Sequence, residues 1–318
     1  METRLADMQL CSSILNSLNS CILGKQEEIE RLFIAVIGGG HVLLEDVPGT
    51  GKTQLVKALS KTIGGQFRRI QCNPDLLPTD ITGVSIYHPK QEQFIFRPGP
   101  VMANVLLADE INRATTKTQS ALLEAMEEGR VTVDGETYPL PEPFILLATQ
   151  NPIEFEGTYT LPEAQLDRFM MKLSLGYPNE ADEQRMVLSS EGNHPSDRAP
   201  QVSNIEDIKR IQTQVLGVHI DEAVGQYLVQ IIRATREHAS VQLGGSPRAA
   251  IALARAARAK AFLEQRAFVT PDDVKALAPF VLSHRLLLHM EARMNGLHAE
   301  DIVGQVLAQI KVPVRLER

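Results

Sequence analysis

Three stretches of this 318-residue chain carry residue types that could act on a phosphate anhydride. The first is Pro48-Gly49-Thr50-Gly51-Lys52-Thr53-Gln54, which follows the apolar run Val42-Leu43-Leu44. A triphosphate needs backbone N–H groups pointed at its oxygens, and a glycine-rich turn running into a helix N-terminus supplies them along with the helix dipole. Gly49 and Gly51 let the backbone wrap, Lys52 can reach the β and γ phosphates, and the Thr53 hydroxyl can ligate Mg²⁺. The strict phosphate-loop pattern has glycine five positions before Gly51, where this chain has Asp46. A Gly-Lys-Thr triplet alone also occurs in surface turns, so the match rests on its context, a preceding strand and a following amphipathic helix.

The second stretch is Val105-Leu106-Leu107-Ala108, a continuous apolar run of the kind buried on both faces of a parallel sheet, ending in Asp109-Glu110. Ligands bind beyond the carboxyl ends of strands in open α/β sheets. Asp109 is thereby placed to hold Mg²⁺ in its outer sphere, and Glu110 to polarise a water for attack on the γ-phosphate. By itself an acidic pair ending a strand is often a solvated loop start; the phosphate loop upstream favours the chemical reading. The third stretch, Phe144 to Ala148, leads into Thr149-Gln150-Asn151-Pro152. If that strand is the neighbour, Asn151 lies beside the attacking water; otherwise it is a turn-forming Asn before Pro. Arg168 in Leu166-Asp167-Arg168-Phe169 and Arg248 in Ser246-Pro247-Arg248 stand at element boundaries. A guanidinium neutralising phosphoryl charge suits transfer chemistry, although spacing alone does not separate these two from the other arginines.

The elements that must position these residues follow from periodicity. Ile29, Leu32, Phe33, Val36 and Ile37 recur at helical spacing before Gly38-Gly39-Gly40, and Leu55, Val56, Leu59 and Ile63 do so before Gly64-Gly65. Arg68 to Gln71 reads as a strand and Lys117 to Glu127 as a helix ended by Gly129. Two hairpins are expected, Val84–Tyr87 with Gln93–Phe96, and Arg130–Val133 with Glu136–Tyr138 around Asp134-Gly135. Alternating strands and helices imply a parallel α/β sheet with helices on both faces over residues 1–178. Composition shifts to Asn, Gly, Pro and Ser over 179–203, which reads as a linker, and 204–318 looks helical, with clean helix starts at Asp221-Glu222 and Thr270-Pro271-Asp272-Asp273.

Composition narrows the function classes. With 43% hydrophobic residues and no apolar run long enough to span a bilayer, the chain reads as an ordinary soluble protein, and its first 25 residues lack a signal-peptide core, so the cytoplasm is the expected compartment. A net charge of −7 argues against a general nucleic-acid surface. Cys11, Cys21 and Cys72 match no metal-ligand spacing and read as reduced thiols, and His284 and His289 are wrongly spaced for a shared metal.

In sequence order, Gly40-His41-Val42-Leu43-Leu44-Glu45, Val47-Pro48-Gly49-Thr50-Gly51-Lys52-Thr53, Leu107-Ala108-Asp109-Glu110-Ile111-Asn112-Arg113-Ala114, Ala148-Thr149-Gln150-Asn151-Pro152, Leu161 to Phe169 and Ser246-Pro247-Arg248-Ala249 match one another's expected neighbours. With these motifs the chain closely resembles the MoxR family of AAA+ ATPases from about Ile22 onward. The family tolerates non-glycine residues at the position of Asp46. The resemblance implies a P-loop AAA+ sheet followed by an all-α lid, Asn151 as sensor 1, Arg168 as the arginine finger reaching a neighbouring subunit's nucleotide, Arg248 as sensor 2, and Gly24 at the adenine pocket. It also implies ATP and Mg²⁺ as cofactors and a homo-oligomeric ring, commonly a hexamer. Similarity to the helix-2-insert group fits the two hairpins, which in such machines face the pore or a client. The family is described as chaperone-like, acting with a von Willebrand factor A domain partner on a client protein; no such domain follows Lys311-Val312-Pro313 here, so a separate partner is expected.

Two other classes stay open at this point. Helicase relatives share such hairpins, but His88-Pro89-Lys90-Gln91 and Asp134-Gly135 lack the basic and aromatic interleaving of a strand-tracking groove. A nucleotide-gated scaffold with little turnover would not need Glu110, Asn151 and Arg168 together.

Overall fold

A computed structural model describes residues 2–152, 157–188 and 195–313. Five parallel strands form the central sheet: β1 (Val42–Glu45), β2 (Phe67–Gln71), β3 (Val105–Asp109), β4 (Ile145–Gln150) and β5 (Met171–Leu173), in the order β2-β3-β4-β1-β5. Their residues alternate between two apolar cores. Val42, Leu44, Val105, Leu107, Ile145 and Leu147 face one core with α1 (Glu2–Cys21), α2 (Gln26–Ile37), α3 (Lys52–Thr62) and the C-terminal helices. Leu43, Leu106, Ala108, Leu146 and Ala148 face the other, with Leu122 and Leu123 of α4 (Thr116–Glu128). Burial on both faces is why these strands read as unbroken apolar runs. Each crossover helix starts beyond a strand's carboxyl end, so the catalytic candidates gather on one rim.

Both hairpins form, Gly83–His88 with Gln93–Pro98 and Arg130–Val133 with Glu136–Pro139. Phe96 stacks on Tyr138 at 4.0 Å between centroids, joining one hairpin to the other. The first leaves Val84, Ile86, Tyr87, Phe94 and Ile95 exposed.

The C-terminal part contains helices Ile205–Leu216, Glu222–Glu237, α5 (Pro247–Leu263), Pro271–Leu282 and Ala299–Gln309, plus a short antiparallel pair, Val241–Leu243 with Leu287–Leu288. Asp221 and Thr270 cap their helices as the sequence implies, Asp221 accepting from Ala223 N–H and Thr270 from Asp273 N–H.

Two elements differ from expectation. α1 was not anticipated because its buried residues Met8, Cys11, Ile14 and Leu18 are diluted by serines and asparagines, although their spacing is helical. Residues 179–203, expected as a linker, include the helix Glu180–Leu188. Its start is the Asn179-Glu180 that reads as loop composition: the Asn179 side chain accepts from Asp182 N–H at 2.9 Å, a helix cap. Residues 189–194 of that stretch lie outside the described residues.

Two histidines sit where sheet and C-terminal helices meet. Nδ1 of His41 accepts from Leu146 N–H, and Nε2 of His284 bonds the Phe169 carbonyl at 3.1 Å. Desolvation pushes His41 down to about 4, and burial, reinforced by neighbouring Arg285, holds His284 well below its ordinary value. Both stay neutral in the folded chain while the unfolded chain takes up protons, so the stability they provide is complete above about pH 6.5 and is lost as pH falls toward 4. Urea midpoints measured from pH 7 to pH 4.5 are expected to fall more steeply for the parent than for the His41→Gln, His284→Gln double variant.

Candidate functional site

The phosphate loop begins where β1 ends. Asp46, 6% exposed, is anchored by its own carboxylate, which accepts from Ser174 Oγ at 2.8 Å and from the N–H groups of Leu175 at 2.6 Å and Gly176 at 3.0 Å. That ties the root of the loop to the chain leaving β5. Gly49 and Gly51 then turn through φ of 89° and 87°. A Cβ at either would meet no atom, so backbone conformation, not space, demands glycine. Lys52 opens α3 and its Nζ donates to the carbonyls of Asp46 at 3.0 Å and Val47 at 3.1 Å. Burial lowers the Lys52 ammonium below its usual range, while Asp46, Asp109 and Glu110 oppose that shift.

Across the cleft, β3 delivers Asp109 and Glu110. Thr149, at the end of neighbouring β4, donates to Asp109 Oδ1 at 2.5 Å and accepts Glu110 N–H at 2.8 Å. Glu110 sits in the left-handed region at φ 57°, a conformation costly for a non-glycine residue and concentrated at functional sites. Its Oε2 accepts from Gln71 Nε2 at 3.0 Å, and Arg69 reaches Asp109 Oδ2 at 2.6 Å, both from β2. Asn151 follows β4. The phosphate loop from Pro48 to Gln54, with Asp46, Arg69, Asp109, Glu110, Thr149 and Asn151, lines one cleft of about 350 Å³. Thr53 and Asp109 bring hard oxygen donors, the kind that suits Mg²⁺.

Gly24, Arg168 and Arg248 are not among the residues lining that cleft. Gly24, at φ 71°, packs so closely on Asp182 that any Cβ would collide with its carboxylate. Arg168 and Arg248 come together elsewhere, in a second cleft of about 290 Å³. Both pair with Glu127 at the end of α4, Arg168 at 2.9 Å and Arg248 through its NH2. Within this chain, therefore, the two arginines and the phosphate loop line different clefts. Among the described residues no group of three or more His, Cys, Asp or Glu side chains is placed to hold a metal ion, and no helix is long and apolar enough to cross a membrane.

Known proteins resemble this chain over nearly its whole length. A family model described as "ATPase family associated with various cellular activities (AAA)" matches residues 41–171, and one described as "AAA lid domain" matches 233–306. The uncharacterized protein YeaC of Bacillus subtilis is 52% identical over 306 residues, 96% of each chain. Chaperone MoxR1 of Mycobacterium tuberculosis is 41% identical over 317 residues, 97% of this chain and 84% of that one. The chain belongs to the MoxR family of AAA+ ATPases. A crystal structure of a candidate ATPase from Cytophaga hutchinsonii, 39% identical, superposes with a TM-score of 0.90 over 98% of this chain and 97% of that one. As a member of the MoxR family, the chain is a nucleotide-binding ATPase with a parallel sheet and a helical lid.

Sequence reasoning passed over four residues that this MoxR-family site uses. Arg69 and Gln71 lie exposed on an edge strand, where polar side chains are expected to meet only water; the register setting Gln71 opposite Asp109 is what brings them to the acidic pair. In the sequence Thr149 stands only as a neighbour of Asn151. Asp46 looked like a departure from a motif, yet two N–H groups end on its carboxylate. Restoring the strict pattern with Asp46→Gly is expected to lower stability by roughly 2–4 kcal/mol, because those buried donors lose their acceptor. Urea unfolding measures it, and an unchanged midpoint would remove Asp46 from the anchoring role.

Proposed function

We propose that this chain is a subunit of a ring, hexameric in the expected form, that couples Mg²⁺-dependent ATP hydrolysis to remodelling or maturing a client protein. A von Willebrand factor A domain protein is the partner expected from family resemblance, and the name of Chaperone MoxR1 supports a protein-directed role. The observation that carries the reading is the separation of the two clefts: Lys52, Asp109, Glu110 and Asn151 share one, while Arg168 and Arg248 share Glu127 in another. A site split in this way is completed by a second copy of the chain.

Gly49, Thr50, Gly51, Lys52, Thr53 and Gln54 hold the phosphates, and Gly24 lies toward the adenine. Thr53 and Asp109 hold the metal, which when bound neutralises charge on the β and γ oxygens. Glu110 accepts a proton from the attacking water, and Asn151 orients that water. Arg168 and Arg248 stabilise the charge spread over the transferring phosphoryl group from the adjoining subunit. The exposed apolar row of the first hairpin, stacked on the second through Phe96 and Tyr138, suits a protein client better than a nucleic acid. The cytoplasm fits three free cysteines.

Replacing Glu110 by Gln is expected to leave ATP affinity within about threefold of the parent and to lower turnover at least about a hundredfold. Turnover at the parental rate would remove the water-activating role. Arg168→Ala is expected to bind ATP normally yet lose at least about a hundredfold in turnover, partly recovered on mixing with Lys52→Ala, whose own Arg168 is intact. A turnover number independent of protein concentration, from a monomer by sedimentation, would end the shared-site reading.

A further inference from the structure

The segment that carries Arg168 is held from outside the sheet. Arg285, from the lid and only 5% exposed, donates from Nε to Asp167 Oδ1 at 2.9 Å. Its two terminal nitrogens reach main-chain carbonyls: NH2 those of Asp167 at 3.1 Å and Phe169 at 2.6 Å, NH1 that of Met170 at 3.2 Å and also that of Val281. The carbonyls on either side of Arg168 thus end on one guanidinium. Ser246 Oγ adds bonds to both oxygens of Asp167, at 2.8 and 3.0 Å. Ser246 is also the cap of α5, whose second residue is Arg248.

Resting on the shared-site reading, we propose that Arg285 is the positioning residue that aims Arg168 at the nucleotide of the next subunit, with Ser246 bringing Arg248 into the same unit. A buried ion pair is a weak source of stability, because desolvation offsets most of its attraction. What this one supplies is direction: a planar fork fixes the carbonyls of Asp167, Phe169 and Met170 in a way a hydrophobic replacement could not. The backbone of Arg168 is then set by the lid, while its guanidinium rests on α4, at the Leu123 carbonyl at 3.0 Å and Glu127 at 2.9 Å. Any displacement of the lid in one subunit moves Arg168 and Arg248 together and is read as a change in hydrolysis next door.

The test uses the full chain under assembling conditions, with turnover and KM for ATP measured for Arg285→Lys, which keeps the charge and loses the fork. We expect KM within about twofold of the parent and kcat lower by roughly tenfold to a hundredfold, the cost of a small misplacement. Mixing with Lys52→Ala should restore part of the lost turnover, because that subunit presents a correctly held Arg168. Ser246→Gly, a substitution a helix cap tolerates, should show a smaller fall in kcat of the same pattern and guards against misfolding of the first variant. Parental kcat in both variants, or a loss that Lys52→Ala fails to restore although it restores Arg168→Ala, overturns the positioning role alone. If Arg168→Ala is not restored either, the shared-site reading fails and this inference with it.

Discussion

Thr149 is a small side chain at the meeting point of two parallel strands, and much of the first cleft hangs from it. Its hydroxyl donates to Asp109 and accepts from the backbone of Glu110, so one oxygen fixes both members of the acidic pair. It can do so only because β3 and β4 are neighbours in parallel register, with Ala108 opposite Ala148. β1 pairs with β4 on the other side, Leu44 opposite Thr149, and therefore releases the phosphate loop at the same height. A one-residue slip in either pairing would turn Thr149 to the opposite face of the sheet and scatter the carboxylates.

The same register explains what could be read in advance. Asp109 and Glu110 come straight after an apolar run, Asn151 follows one by three positions, and Lys52 and Thr53 open the helix after the loop that follows another; a buried parallel strand leaves little choice about which end carries them. The hairpins were legible from alternation and from Asp134-Gly135. What escaped was set by contacts distant in sequence. Asp46 finds its partners at 174–176, and Arg69 and Gln71 acquire meaning only opposite Asp109. Arg168 and Arg248 share a carboxylate on α4 that no spacing rule connects to them. Local pattern reports on local structure, and these are tertiary facts. α1 is a different kind of miss, since its helical spacing was present but obscured by polar neighbours.

The lid bears on the site through backbone more than through side-chain contact with any reactive group. Arg285 and His284 both end on the Phe169 carbonyl, and Arg285 continues to Asp167 and Met170. Burial pushes the Arg285 guanidinium down to about 10, with Asp167 opposing the shift, so it remains a cation at neutral pH. The turn after the motif Leu166-Asp167-Arg168-Phe169 is thus shared between two parts of the fold, and neither part alone determines where Arg168 points.

Charge completes the argument for two half-sites. The first cleft sets Lys52 and Arg69 against Asp46, Asp109 and Glu110, an excess of negative charge that would repel a bare triphosphate. A divalent cation accompanying the nucleotide removes that objection. The second cleft sets Arg168, Arg248, Arg255 and Arg285 against Glu127 and Asp167, an excess of positive charge with no phosphate loop beside it. Opposite surpluses on two faces of one chain favour contact between copies, head to tail, and disfavour contact between like faces. Such heterologous contacts close into rings when the rotation allows. The arginines held by Glu127 would then exchange one carboxylate for the phosphates of a neighbour, a trade of partners in which no guanidinium need be left buried and unpaired.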